Sequence, residues 1–342
     1  MYTAASWSSL APATTTTRTR RQSRPFPHKK RANPAMHQIY VRVFEPGFFA
    51  SSPVHVAVVI GAVVAVVSAI TGVFTVMRGQ SFGGHALGDV SAAGGSGALL
   101  IGLSPVAGFV GLGIVGAGVM DLIGVQRLRG RDLATGIVLG AAIGLSALFL
   151  YLDTSSSATT GATQQILFGS IFTATSTTVI VVGILGALAV GTVAIICRPL
   201  LLATVSPDIA AARGIHVRLV GIGYMFALAV SVGLSSVATG AILSTALLIG
   251  PAAAALRLTR RMSSALLAAC LIGVAATWLG ILLTYDSYYW GAARRGLPVS
   301  FFIVAVIFVT YLLSGLYNRR GAGRRAAVTA RPVAASRDKI VA

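Results

Sequence analysis

The sequence predicts an all-α integral membrane protein of eight or nine transmembrane helices. Three observations carry that prediction. Of 342 residues, 55% are hydrophobic and only 10% are charged, where a soluble domain carries about a quarter. Mean hydropathy is +0.83, so the chain needs lipid as its solvent. Apolar runs of about 20 residues, the length that crosses a bilayer core, recur along it.

The elements follow in order. Residues 1–50 are rich in Thr, Ser, Pro and Arg and read as a basic, disordered tail. No short apolar stretch with a cleavage site follows; the run over 54–77 is too long for one and reads as the first spanning helix. The second segment, 83–103, is rich in Gly and opens on the polar stretch SFGGHALGDV, Ser81 to Val90. It reads either as a span or as a re-entrant segment, which survives only where it lines a cavity or is buried in protein. Further helices are expected at 105–124, 133–152, 176–202, 218–237, 239–257, 264–284 and 297–317, giving a transmembrane domain over 51–317. The 39 glycines, with frequent Ala and Ser, suit close packing of membrane helices. Residues 318–342 form a second basic, disordered tail.

Charge sets the orientation. The chain holds 27 basic and 8 acidic residues, a net charge of +19. Eight of the basic residues lie in the first tail and seven in the last. The others mark short loops: Arg127, Arg129 and Arg131; Arg198, Arg213 and Arg218; Arg257, Arg260 and Arg261. By the positive-inside rule these loops and the C-terminus are cytoplasmic, and the tails meet anionic lipid. Arg294 and Arg295, in the last outer loop, are the exception. Nine spans put the N-terminal tail outside; eight put both tails inside and turn Arg78 outward. No folded basic domain remains for nucleic acid.

Several chemistries are absent. The three lysines, Lys29, Lys30 and Lys339, all lie in the tails, so no P-loop exists. Neither H-E-x-x-H nor G-x-S-x-G occurs. Cys197 and Cys270 fall in apolar segments and read as packing residues. Between the fifth and sixth expected spans, SPDIAAARGI predicts a short capped helix. Ser206 is its N-cap, Pro207 stands at N1, Asp208 favours the positive end, Ala210 to Ala212 continue it, and Gly214 suits C′. It reads either as a linker or as a docking helix for a cytoplasmic partner. Pro251, late in an apolar helix, reads as a kink that either packs or borders a pathway.

The chain resembles the ABC-3 family of metal-ion ABC transporter permeases, the zinc, manganese and iron importers. FTVMRGQSFGGHALGDV, ILFGSI (Ile166 to Ile171), SPDIAAARGI and TGAILSTALLIGPAAAALRLTRRM carry the resemblance in order, over about 54–317. The resemblance implies a permease bundle of the metal- and vitamin B12-type (type II) importer class in a bacterial cell membrane. It implies no permanently bound cofactor and no ATPase of its own. The implied partners are a second permease copy, ABC ATPase subunits that use the ATP, and an extracytoplasmic metal-binding lipoprotein. Ser206 to Ile215 would then dock the ATPase.

In that family the polar motif usually reads A-F-x-G-D-A-L-S-H; here it reads SFGGHALGD, with His85 and Asp89 exchanged in type. Positions i and i+4 share one helix face, so an imidazole and a carboxylate converge on one cation in either order. Imidazole suits zinc and other late transition metals, and carboxylate suits harder ions such as manganese. Both residues are assigned to the path of a divalent metal, the transported substrate. Pairing with each other, or capping a helix, is the plainer alternative. Asp121 reads as a charge partner, His55 as a surface residue, and His216 as a loop residue. Asp286, with Tyr285, Tyr288, Tyr289 and Trp290, is expected in an outer loop within an interfacial aromatic belt. Two rival functions remain: a permease for a metal chelate such as a siderophore, which needs no metal pair, and a secondary transporter, which needs no docking helix.

Overall fold

The computed structural model describes residues 52–123, 131–156, 161–169, 171–287 and 297–317. Both basic tails, Arg127 and Arg129, and the outer-loop residues Tyr288 to Trp290, Arg294 and Arg295 lie outside them. The described residues are helical throughout, with no strand. In chain order the helices are α1 (Ser52–Met77), α2 (Ser81–Leu100), α3 (Pro105–Ile123), α4 (Arg131–Ser156), α5 (Ala162–Phe168), α6 (Ser176–Val205), α7 (Pro207–Ala212), α8 (Val217–Thr239), α9 (Ala241–Leu258), α10 (Met262–Ser287) and α11 (Val299–Tyr317). A 3-10 turn, Ile171–Thr173, follows α5.

Eight of these helices are long and apolar enough to cross a membrane. The remaining long one is α2. It is an unbroken helix of 20 residues, 12 of them buried, and rises about 30 Å. This is not the broken backbone of a re-entrant segment. Its glycines, serines and polar pair keep it below the apolarity of a span, and the bundle shelters it. Its neighbours are α3, α4, α8 and α9. At the α2–α3 crossing, Gly94 and Gly108 meet backbone to backbone: a Cβ built on Gly94 would lie 2.1 Å from the Gly108 carbonyl oxygen, and the converse distance is 2.2 Å.

The centre of the bundle is α8. Every residue from Ala227 to Thr239 is buried, as befits a helix apolar all round. It packs against α1, α2, α3, α6 and α9. Hydroxyls join these helices where lipid offers no other partner. Thr71 on α1 donates to Ser231 on α8 at 2.7 Å, Thr75 bonds Tyr224 at 2.8 Å, and Ser235 donates to the Ser244 carbonyl on α9 at 3.1 Å. Each such bond contributes about 0.6 kcal/mol in a membrane bundle. By contrast only 17% of the α4 span and 22% of the α6 span are buried, so these two helices face outward.

The contacts fix the polarity of the helices. Because Thr75 meets Tyr224 and Thr71 meets Ser231, α1 ends where α8 begins. The Arg78 guanidinium, just past α1, lies 4.9 Å from the centre of the Tyr224 ring, and that of Arg257 lies 3.9 Å from the Tyr311 ring. Arg78, Arg213, Arg218, Arg257, Arg260 and Arg261 therefore gather at one end of the bundle, where α7 also lies. Arg78 shares that end with these arginines instead of standing opposite them as an eight-span arrangement would require, and α1 begins at the opposite end.

Two further elements differ from the sequence-based expectation. A short helix absent from the expected set, α5, covers Ala162 to Phe168 and so includes the first half of ILFGSI. Gly169 (φ 85°) and Gly240 (φ 79°) let the end of α5 press backbone against backbone on the α8–α9 elbow. Tyr285 and Asp286 do not stand in a loop. They complete the last turn of α10, and Asp286 is buried. The Ser287 hydroxyl accepts the Leu297 N–H at 3.0 Å and so ties the end of α10 to the start of α11.

Candidate functional site

His85 and Asp89 lie one turn apart in the first half of α2. His85 Nε2 stands 3.9 Å from Asp89 Oδ2. That is too far for a hydrogen bond, and Oδ2 is a buried oxygen with no hydrogen-bond partner. A buried acceptor needs a partner, and a protonated His85 ring or a bound cation would each supply one. Nitrogen and oxygen ligands each stand about 2.0–2.2 Å from a metal such as zinc, so two of them on one tetrahedral ion would be about 3.4 Å apart. From 3.9 Å the two side chains would close slightly to share an ion. With the ring protonated, the same 3.9 Å is an ion pair, the plainer alternative read from sequence.

The other ring nitrogen is held. His85 Nδ1 lies 2.9 Å from Thr245 Oγ1 on α9. Gly88 makes this approach of α2 to α9 possible: a Cβ there would come within 3.2 Å of Ser244 Oγ. Thr245 escaped the sequence analysis because its partner is 160 residues away, and no local pattern links them. Among the described residues no group of three or more His, Cys, Asp or Glu could hold a metal. Two side chains make a cation site open to exchange rather than a closed structural cage, which takes four ligands.

The remaining candidates lie apart from this pair. His55 is exposed at the start of α1, and His216 is exposed at the start of α8. Asp121 lies in the last turn of α3. Cys197 and Cys270 are free thiols on different helices. Pro251 sits buried inside α9 without ending it, close to Gly273 of α10.

At the end where the arginines gather, α7 has the expected caps. Ser206 Oγ accepts the Ile209 N–H at 3.5 Å. Gly214 adopts φ 78°, and its N–H and that of Ile215 reach the carbonyls of Ala211 and Ala210 at 2.9 and 3.1 Å. That pair of bonds is a Schellman ending. Beside α7 opens a cleft of about 780 Å³, lined by Leu201, Leu202, Val205 and Ile215 with Arg198 and Arg213 at hand. Val205 is 79% exposed and Ile209 52%, so exposed apolar surface stands among arginines. Sequence analysis found the helix; the cleft is a product of the α6–α7 junction.

The family model described as the ABC 3 transport family matches residues 52–315, from the start of α1 to the end of α11. The chain belongs to the ABC 3 transport family. Among its relatives in this family is the manganese transport system membrane protein MntC of Listeria innocua. That protein is 27% identical over 253 residues, which cover 74% of this chain and 89% of MntC. The high-affinity zinc uptake system membrane protein ZnuB of Haemophilus influenzae is 26% identical over 68% of this chain and 88% of its own. The solved structure of PsaBC from Streptococcus pneumoniae in complex with Fab superposes with a TM-score of 0.68 at 24% identity, covering 78% of this chain and 92% of that one. This likeness establishes the ABC 3 fold.

Proposed function

We propose that this chain is the membrane-spanning permease of an ABC importer that brings a divalent transition metal, manganese, zinc or iron, into a bacterial cell. The observation that carries the proposal is the buried Asp89 Oδ2, with no hydrogen-bond partner, 3.9 Å from His85 Nε2. Ionisable residues inside a membrane mark ion pathways, and the relatives include one named for manganese transport and one named for zinc uptake. The metal is substrate, and no resident cofactor is required.

The rest of the reading follows from the surfaces. The His85 side chain is 41% exposed, and Phe82, one turn earlier, is 43% exposed. A face that carries an ionisable pair does not meet lipid without a large penalty. A second permease copy covers it and completes the path. The arginine-rich end with α7 is cytoplasmic, so the C-terminus is inside and α1 starts outside. There α7 and its apolar cleft dock an ATPase subunit, whose hydrolysis of ATP drives alternating access; this chain hydrolyses none. An extracytoplasmic metal-binding lipoprotein delivers the ion at the opposite face, over α5.

The test is cellular manganese, zinc and iron after metal-limited growth, in a strain lacking the gene and in the same strain restored with the native chain. One of the three is expected to fall on deletion and recover on restoration. No change in any of them would sink the metal assignment. A companion variant addresses coupling. Ile209→Asp places a charge on the exposed apolar face of α7 and is expected to lower uptake roughly tenfold or more, as loss of a central interface residue does, at native chain level. Unchanged uptake would mean that α7 docks nothing, as a secondary transporter requires.

A further inference from the structure

We propose that Thr245 is a positioning residue for transport, holding the direction of the His85 ring and accepting a hydrogen bond from Nδ1–H so that Nε2 offers its lone pair to the passing metal. The inference rests on the metal-path reading of His85 and Asp89 and adds a third residue, on a different helix, that does not itself touch the ion.

The case begins with what threonines do elsewhere in the bundle. Thr204, Thr239, Thr277 and Thr310 each donate the hydroxyl to the carbonyl four residues back, at 2.6–2.9 Å. That is the ordinary satisfaction of a threonine in a membrane helix. For Thr245 the corresponding acceptor would be the Ala241 carbonyl, which accepts the Ser244 hydroxyl at 2.9 Å. The Thr245 hydroxyl faces α2 instead and meets His85 Nδ1 at 2.9 Å.

A neutral imidazole carries its proton on one nitrogen only. Either tautomer makes the contact with the Thr245 hydroxyl, but a metal arriving at Nε2 selects the one in which Nδ1–H donates to Thr245 Oγ1, and it is Nε2 that stands 3.9 Å from Asp89 Oδ2. Histidine ligands are commonly held in this way, the second nitrogen donating to a neighbour that sets tautomer and ring direction. The hydroxyl also ties the site on α2 to α9. The helix that positions the ring is thus one of its packing partners, and a shift of α9 would alter the ligand without touching the metal.

The test compares initial rates of Mn(II) and Zn(II) uptake in cells lacking the native gene and expressing the full chain, with chain level measured in the membrane fraction. Thr245→Val keeps the branched shape and removes the hydroxyl; Thr245→Ala does the same without risk of overpacking; Thr245→Ser restores the hydroxyl. The expected result is an apparent KM for the transported metal raised roughly ten- to a hundredfold in the Val and Ala variants. Their maximal rate and chain level stay near native, and the Ser variant recovers native affinity. A merely structural role would lower chain level or maximal rate in all three and would not follow the hydroxyl. Native affinity in both Val and Ala variants, alongside lost uptake in His85→Ala, overturns the positioning role and leaves the pair in place. Native uptake in His85→Ala overturns the reading beneath both.

Discussion

Replacing His85 and Asp89 together by alanine is expected to reduce metal uptake by more than about a hundredfold, beyond the ten- to hundredfold that loss of a supporting partner alone produces. Both substitutions remove a polar group from a helix flanked by small residues, so α2 should still form and pack, and the chain should reach native level in the membrane. Single changes separate the contributions. His85→Ala removes the ring that stands 3.9 Å from the Asp89 carboxylate. Asp89→Asn keeps the shape and removes the charge, so its failure would show that charge, rather than hydrogen bonding, holds the ion. The exchange His85→Asp with Asp89→His restores the order usual in the family. It is expected to transport, since positions four apart share a face in either order. Its metal preference should shift, because Thr245 would then meet a carboxylate. Full uptake by the double alanine variant at native chain level would remove the pair from the pathway.

The second large effect concerns the α2–α3 crossing. Gly94→Ala with Gly108→Ala is expected to deplete the chain from the membrane almost entirely. A methyl on Gly94 would sit 2.1 Å from the Gly108 carbonyl oxygen and 2.6 Å from Leu112 Cβ, and one on Gly108 would sit 2.2 Å from the Gly94 carbonyl oxygen. Backbone atoms have no rotamer through which to yield, so the helices must separate. Overpacking of this kind typically destabilises by 1–3 kcal/mol, and two backbone clashes at one crossing should lie at or above the top of that range. The same helix supplies its own control. Gly111 and Gly118 have open space around the position of a Cβ, and alanine there should be neutral or mildly stabilising, since glycine in a helix interior is worse than alanine by about 1 kcal/mol. Chain level in membrane fractions and the temperature at which detergent-solubilised protein aggregates would report both. Equal behaviour of the four positions would mean that the crossing is looser than the backbone contact implies.

The parts of the molecule that were legible in the sequence are those decided locally. A long apolar run is a span whatever surrounds it, so eight of the nine long helices could be read from hydropathy. Ser206, Pro207 and Gly214 specify α7 through bonds that reach three to five residues, and those residues stand adjacent in sequence. What stayed hidden is decided by neighbours far along the chain. The status of α2 depends on α3, α4, α8 and α9 closing around it, which its own composition does not show. Seven-residue α5 lacks the length for periodicity to declare it, and it is fixed by a backbone contact with the α8–α9 elbow. Asp286 looked like a loop residue because tyrosines and a tryptophan follow it, yet the helix runs past it. Half of the candidate site was visible as a histidine and an aspartate four apart. Thr245 was not, since a threonine in an apolar helix is unremarkable until its hydroxyl is found to meet His85 on another helix.

The low apolarity of α2 bears on how the protein is made. A segment that the bilayer accepts only weakly does not partition from the translocon by itself. Its entry depends on helices synthesised before and after it. Only Arg78, Gly79 and Gln80 separate it from α1, the neighbour that enters lipid readily, so the two insert as a hairpin with α1 leading. The buried face of α2 is then covered only when α3 and α4 have followed and, later still, when α8 and α9 arrive. The segment that carries His85 and Asp89 is thus among the first made and among the last to be enclosed, and during synthesis it must wait beside the translocon for partners that lie more than a hundred residues downstream.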